Sequence, residues 1–176
     1  MNYFAYGSNM SLARLQKRVP SAGKIGSCVL RGHVLRFHKQ GKDGSGKCDA
    51  FETRNIDDYL IGVLFRIDSR QKARLDAIEG LGYGYEEKWV SVRHQSGAQY
   101  QAATYYATRI DGALKPYSWY KNHVLVGARE ATLPEDYIGG IEAVEHIEDP
   151  DSMRDEIERA VHSTWRTCNP GRGRLG

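Results

Sequence analysis

The residues best placed to do chemistry are a carboxylate and a loop. Glu79 sits between Ile78 and Gly80-Leu81 where a helical pattern ends, so its carboxylate faces the negative end of a helix dipole in apolar company. A carboxyl that such a setting holds near neutrality suits general acid–base work, although the same position also fits an ordinary exposed helix-terminal glutamate. The second feature is Tyr6-Gly7-Ser8-Asn9, which follows an apolar and aromatic run and precedes a helical pattern. Backbone N–H groups at such a junction lack partners and can point at an anion or an oxyanion, with Gly7 allowing close approach. Gly-Ser-Asn is equally plain turn and N-cap chemistry.

Other chemistries find little support. His33 and His38 are five apart on a strand, and His94, His123, His146 and His162 offer no pair at metal-ligand spacing with a third partner, so no metal site is expected. Ser8 lacks a Gly-x-Ser-x-Gly elbow, and Cys28, Cys48 and Cys168 form no Cys-x-x-Cys pair. They read as reduced thiols of a cytoplasmic protein. Trp89, Trp119 and Trp165 read as core or pocket wall, and Glu86, Glu87, Glu142 and the arginine-rich end as solvated surface.

The elements that must position these groups follow from pattern. Residues 2 to 6 read as a short buried strand; Ser11 opens a helix in which Leu12 and Leu15 share a face before Pro20. Ile25 to Phe37 is one long bent strand or two strands meeting at a bulge, and Gly41 to Lys47 is a loop around Asp43-Gly44-Ser45-Gly46. Leu60 to Ile67 is a near-continuous apolar strand. Asp68-Ser69 then starts a helix with Leu75 and Ile78 facing inward, closed by Glu79-Gly80. After Gly82 and Gly84, Lys88 to Arg93 and Tyr100 to Ala107 form a hairpin. Helices begin at Pro116 and Pro134, and a third covers Ser152 to His162. Strands with interspersed helices and no βαβ repeat define an α+β class around a mostly antiparallel or closed sheet.

Composition sets the outer bounds. The chain has 176 residues, 40% of them hydrophobic, enough for one core, and one domain over 1–168 with a flexible tail at 169–176 is expected. The 25 basic and 22 acidic residues are spread along the chain, a net +3 that gives no nucleic-acid footprint. The opening Met1-Asn2-Tyr3 lacks a basic n-region with an apolar stretch, and no window approaches 18 apolar residues, so a cytoplasmic protein with no membrane partner is expected.

Tyr3-Phe4-Ala5-Tyr6-Gly7-Ser8-Asn9-Met10 resembles the opening signature of the γ-glutamylcyclotransferase family, and Leu75-Asp76-Ala77-Ile78-Glu79-Gly80 is similar to its catalytic Leu-Asp-x-x-Glu-Gly segment. Residues 117 to 120, Gly127-Ala128-Arg129-Glu130, Leu133-Pro134-Glu135-Asp136-Tyr137 and Ile141-Glu142 resemble the C-terminal region of the branch acting on free γ-glutamyl amino acids. The resemblance spans residues 2 to 147, with the segments in the same order. It implies a closed, mostly antiparallel β-barrel of five or six strands flanked by helices, with Glu79 as the catalytic acid and base. It also implies a substrate loop of Tyr3, Phe4, Ala5, Tyr6, Gly7, Ser8 and Asn9, and Tyr120 in the pocket. Tyr85 aligns with a pocket tyrosine at a spacing one residue short. No cofactor is implied. The partner would be a small γ-glutamyl compound and the protein a monomer or homodimer. Cyclising attack of the substrate's α-amine on its γ-carbonyl would release 5-oxoproline, with Glu79 moving the proton. The readings left beside this are a γ-glutamyl-amine or a specialised pathway intermediate as substrate, and a non-catalytic small-molecule or partner-binding module on the same barrel.

Overall fold

The computed structural model describes residues 1–168, from 163 onward as backbone only. The tail expected at 169–176 therefore lies outside the described residues, as does the Trp165 side chain. Among the described residues seven strands and five helices follow in order: β1 (Asn2–Ala5), α1 (Leu12–Arg18), β2 (Gly23–Arg31), β3 (His33–Gln40), β4 (Gly46–Glu52), β5 (Tyr59–Arg66), α2 (Lys72–Glu79), β6 (Tyr85–His94), β7 (Gln99–Ala107), α3 (Ser118–Glu130), α4 (Glu135–Glu142) and α5 (Ser152–Cys168). A short 3₁₀ turn, Ser8–Met10, joins β1 to α1.

Five strands close a barrel in the order β1-β5-β2-β6-β7, while β3 and β4 form a separate two-stranded sheet. The barrel pairings are antiparallel except at the seam, where β1 meets β7 in parallel at Tyr3↔Ala103. Every residue from Leu60 to Phe65 is buried, which explains the unbroken apolar run of β5: a strand covered on both faces has no need to alternate. The core gathers Phe4, Leu15, Leu60, Leu64, Phe65, Leu75 and Val92, all fully enclosed. No helix is long and apolar enough to cross a membrane among the described residues.

Several elements differ from the sequence reading. The stretch from Ile25 to Phe37 is two strands, as one of the two readings had it, but they belong to different sheets and are split at a turn where Gly32 has φ of +72° rather than at a bulge. Strand β4 begins at Gly46, inside the expected loop; its buried stretch Cys48-Asp49-Ala50 does not alternate, and Phe51 beyond it is exposed. Asp49 of β4 is 2% exposed and explains how this sheet docks: one oxygen accepts the Ala107 N–H of β7 at 2.7 Å and the other meets His38 of β3 at 2.8 Å. Ile78 does not face inward but is 41% exposed, because the last turn of α2 overhangs a cleft instead of the core. Trp89 is also outside, 59% exposed, whereas Trp119 is buried as expected. Glu87 is not simply solvated, since it pairs with Lys72.

Candidate active site

The site forms where the barrel's closure brings the β1–α1 loop against the end of α2. Leu75 anchors α2 in the core, and Asp76 beside it accepts a hydrogen bond from Tyr105 of β7 at 2.6 Å while pairing with Lys72. Gly80 then takes the left-handed conformation, φ +75° and ψ +46°, and its N–H closes the helix on the Asp76 carbonyl. That termination leaves Glu79 at the lip of the pocket with its side chain 16% exposed. The Leu-Asp-x-x-Glu-Gly segment is thus a positioning unit: a core anchor, a tie to the barrel, the carboxylate and the stop.

The loop side is equally determined. Gly7 lies so close to β4 that a Cβ there would stand 2.8 Å from Cys48 Cβ and 3.6 Å from the Tyr120 hydroxyl, so its smallness serves packing against the protein. The 3₁₀ turn starts at Ser8, closed by the Met10 N–H on the Gly7 carbonyl at 2.9 Å. As the first residues of that turn, Ser8 and Asn9 have no acceptor within it for their own N–H groups. Ser11 occupies the N-cap of α1 without a side-chain bond; the Glu130 carboxylate of α3 takes the Leu12 N–H instead.

Glu79 meets this loop directly. Asn9 Nδ2 donates to Glu79 Oε1 at 2.8 Å and contacts the Tyr3 hydroxyl at 3.0 Å. Arg18, at the end of α1, donates through Nη1 to Asn9 Oδ1 at 2.8 Å and to Glu79 Oε1 at 3.1 Å. Both bonds fall on Oε1, and Oε2 has no protein partner among the described residues. The guanidinium and the amide thus hold Glu79 Oε1 in place at the end of the helix.

Around the carboxylate the lining is aromatic with polar tips. Tyr3, Tyr6, Tyr85, Tyr105 and Tyr120 surround the pocket together with Gly7, Ser8, Asn9 and Cys48. Their hydroxyls are mostly committed: Tyr6 donates to the Tyr105 carbonyl, Tyr85 to the Cys48 carbonyl, and Tyr120 accepts the Cys48 N–H. Burial raises the pKa of Tyr3, Tyr6, Tyr85 and Tyr120, so these walls stay neutral. Burial likewise pushes the Cys48 thiol up to about 12, leaving it a packing group rather than a nucleophile.

Of the residues singled out in the sequence, Glu79, Tyr3, Tyr6, Gly7, Ser8, Asn9, Tyr85 and Tyr120 line one pocket. Phe4 and Ala5 do not line it; Phe4 lies against Gly62 of β5 in the core. Tyr85 belongs to the lining despite its shifted spacing. Sequence reasoning missed Arg18, Cys48 and Tyr105. Arg18 had one available signal, a basic residue in the last turn of a helix that leaves the loop, but its partner is 61 residues away. No group of three or more His, Cys, Asp or Glu that could hold a metal occurs among the described residues.

The closed mixed barrel with its flanking helices is the fold of a solved γ-glutamyl cyclotransferase, which it matches with a TM-score of 0.79 and 26% identity over 90% of this chain and 98% of that one. Residues 59–141 match the AIG2-like family. The γ-glutamylcyclotransferase of Homo sapiens is 31% identical over 165 residues and that of Mus musculus 30% over 167, each covering 90% of this chain and 86% of the relative. The chain belongs to the γ-glutamylcyclotransferase family and is an enzyme of that type.

Proposed function

We propose that the protein cyclises a γ-glutamyl compound to 5-oxoproline and a free amine, with Glu79 as the proton carrier. The observation that carries this reading is the division of labour on its carboxylate: Oε1 is fixed by Asn9 and Arg18, and Oε2 is left open to the pocket. In the proposed sequence Oε2 takes a proton from the substrate's α-ammonium, freeing the amine. The amine nitrogen attacks the substrate's own γ-carbonyl carbon, a C–N bond forms, and negative charge gathers on the carbonyl oxygen. The free N–H groups at Ser8 and Asn9 are suited to that oxygen or to the substrate carboxylate. The carbonyl re-forms as the original amide C–N bond breaks, and Glu79 gives its proton to the departing nitrogen. The second proton of the attacking nitrogen passes to the released amine, which leaves as an ammonium, and 5-oxoproline keeps its single lactam N–H. Because the nucleophile is intramolecular, the tyrosine walls need mainly to hold the folded conformer in which amine and carbonyl meet.

The test is incubation of the protein with γ-glutamyl amino acids, γ-glutamyl amines and glutathione, following 5-oxoproline by mass spectrometry beside Glu79→Gln. The glutamine keeps the shape and cannot carry the proton. Turnover is expected to fall by roughly 10²–10⁴ with binding largely retained. A Glu79→Gln protein that turns over like the parent overturns the assignment.

A further inference from the structure

Beyond the Glu79 pocket the surface opens into a wider cleft, and its charges do not balance. The pocket itself, about 30 Å³, takes a head group of few atoms; the cleft, about 230 Å³, shares Ser8, Glu79, Tyr85 and Tyr120 with it and receives whatever extends outward. Five cations line it: Arg14, Arg18, Lys39, Lys42 and Lys47. Three are neutralised, Arg14 by Glu158 at 2.6 Å, Arg18 by Glu79 at 3.1 Å and Lys47 by Asp43 at 2.7 Å. Lys42 is exposed and solvated.

Lys39 is different. The residue is only 7% exposed, and its ammonium has no hydrogen-bond or ion-pair partner among the described residues. It rests 4.6 Å from the centre of the Tyr85 ring, and its Cε lies so near Gly84 that a Cβ there would stand 3.1 Å away. The side chain is therefore held in place at the cleft wall by the start of β6. Burial pulls its pKa down, partly opposed by the charge of Glu79; Lys47 and Lys42 act with the burial and Asp43 against it. Its stem is enclosed while the ammonium, with a ring face beside it and no protein acceptor among the described residues, leaves its N–H donors to the cleft, where an anionic ligand group can take them.

We infer that Lys39 is a specificity-determining residue for the leaving group: its ammonium takes a carboxylate carried by the departing amine, so γ-glutamyl compounds with an anionic leaving amine are favoured over neutral γ-glutamyl amines. This rests on the cyclisation reading, which places the γ-glutamyl head beside Glu79 and sends the remainder of the substrate past Tyr85. The interaction is made before and during the reaction alike, so it acts on KM more than on kcat.

The experiment compares γ-glutamylalanine with γ-glutamylalaninamide, which differ only in the leaving group's charge, for the parent, Lys39→Met and Lys39→Arg, with 5-oxoproline as readout and melting curves as a check on folding. The parent is expected to favour the carboxylate roughly ten- to a hundredfold in kcat/KM, mostly through KM. Lys39→Met is expected to collapse that ratio toward one, and Lys39→Arg to retain much of it. A parent ratio near one, or a Lys39→Met protein whose ratio is unaltered because both substrates suffer alike, overturns the inference while leaving the cyclisation intact. No 5-oxoproline from either substrate with the parent refutes the cyclisation reading itself and the inference with it.

Discussion

Acidification between pH 7.5 and 4.5 is expected to destabilise this protein through one buried histidine. His123 of α3 is fully enclosed, with its edge toward Trp119 and its nitrogens in a cluster that ties three helices together. Nε2 lies 3.0 Å from Arg14 Nη1 of α1 and 2.9 Å from Glu158 Oε2 of α5, and Nδ1 lies 2.6 Å from His162 Nε2. Burial brings the His123 pKa from 6.5 to about 4, with Arg14 and His162 acting the same way against the opposing pull of Glu158. Because the folded-state value lies below the unfolded one, the unfolded chain binds the proton first, and stability is lost as pH falls from 6.5 toward 4. At about 1.4 kcal/mol per unit the loss over that window is about 2–3 kcal/mol, or roughly 5–10 °C in Tm for a chain of this size. His162, also lowered by burial, acts in the same direction, whereas Glu158, held at about 2, contributes a loss only below its unfolded value near 4.5. Differential scanning fluorimetry of the parent and His123→Asn across this range separates the histidine from the carboxylates. The variant melts lower at neutral pH for want of packing, but its curve is expected to be flatter by most of the predicted shift. Equal slopes in the two proteins, or a flat parent, refute the reasoning.

Gly7→Ala would place a methyl 2.8 Å from Cys48 Cβ, so the loop or β4 must retreat. A loss of about 1–3 kcal/mol in urea denaturation is expected, together with a fall in kcat/KM, and an unchanged midpoint would show that the loop yields freely. Tyr105→Phe removes the 2.6 Å bond to Asp76 but leaves that carboxylate its Lys72 partner. The expected loss is about 1–2 kcal/mol, with turnover reduced because Glu79 sits one turn further along α2, and unchanged turnover in a destabilised protein would detach Asp76 from positioning the carboxylate.

The parts of this molecule that could be read in advance are those whose signals are local. The apolar run before Gly7, the turn residues after it and the carboxylate next to a terminating glycine are all written within a few residues, and they give β1, the loop and Glu79. The α+β class and the hairpin of β6 and β7 follow from period and punctuation in the same way. What stayed hidden depends on which strands meet. Gly32 reads as a bend in one strand or a bulge between two until the barrel takes β2 and the second sheet takes β3. Strand β4 carries Lys47 and Asp49 among its apolar residues and so does not announce itself, although Asp49 is among its most buried positions. Ile78 has an apolar side chain at an inward-looking spacing, but the core ends one turn before it.

The same distinction explains how Glu79 is accommodated at a helix C-terminus. Local sequence predicts an unfavourable charge there, and the fold answers with a guanidinium from α1 and an amide from the loop, both delivered to one oxygen. Arg18 can reach Glu79 only because the chain doubles back through the 3₁₀ turn, so the loop that lines the pocket also fixes where its counter-charge stands. Lys39, over the Tyr85 ring, is a second cation of the cleft within electrostatic reach of the same carboxylate. A substrate threaded between them would meet Arg18 and Glu79 at its head and Lys39 at its tail. Substituting either cation should therefore perturb a different end of the substrate, which makes the two sites separable by experiment although they border one cleft.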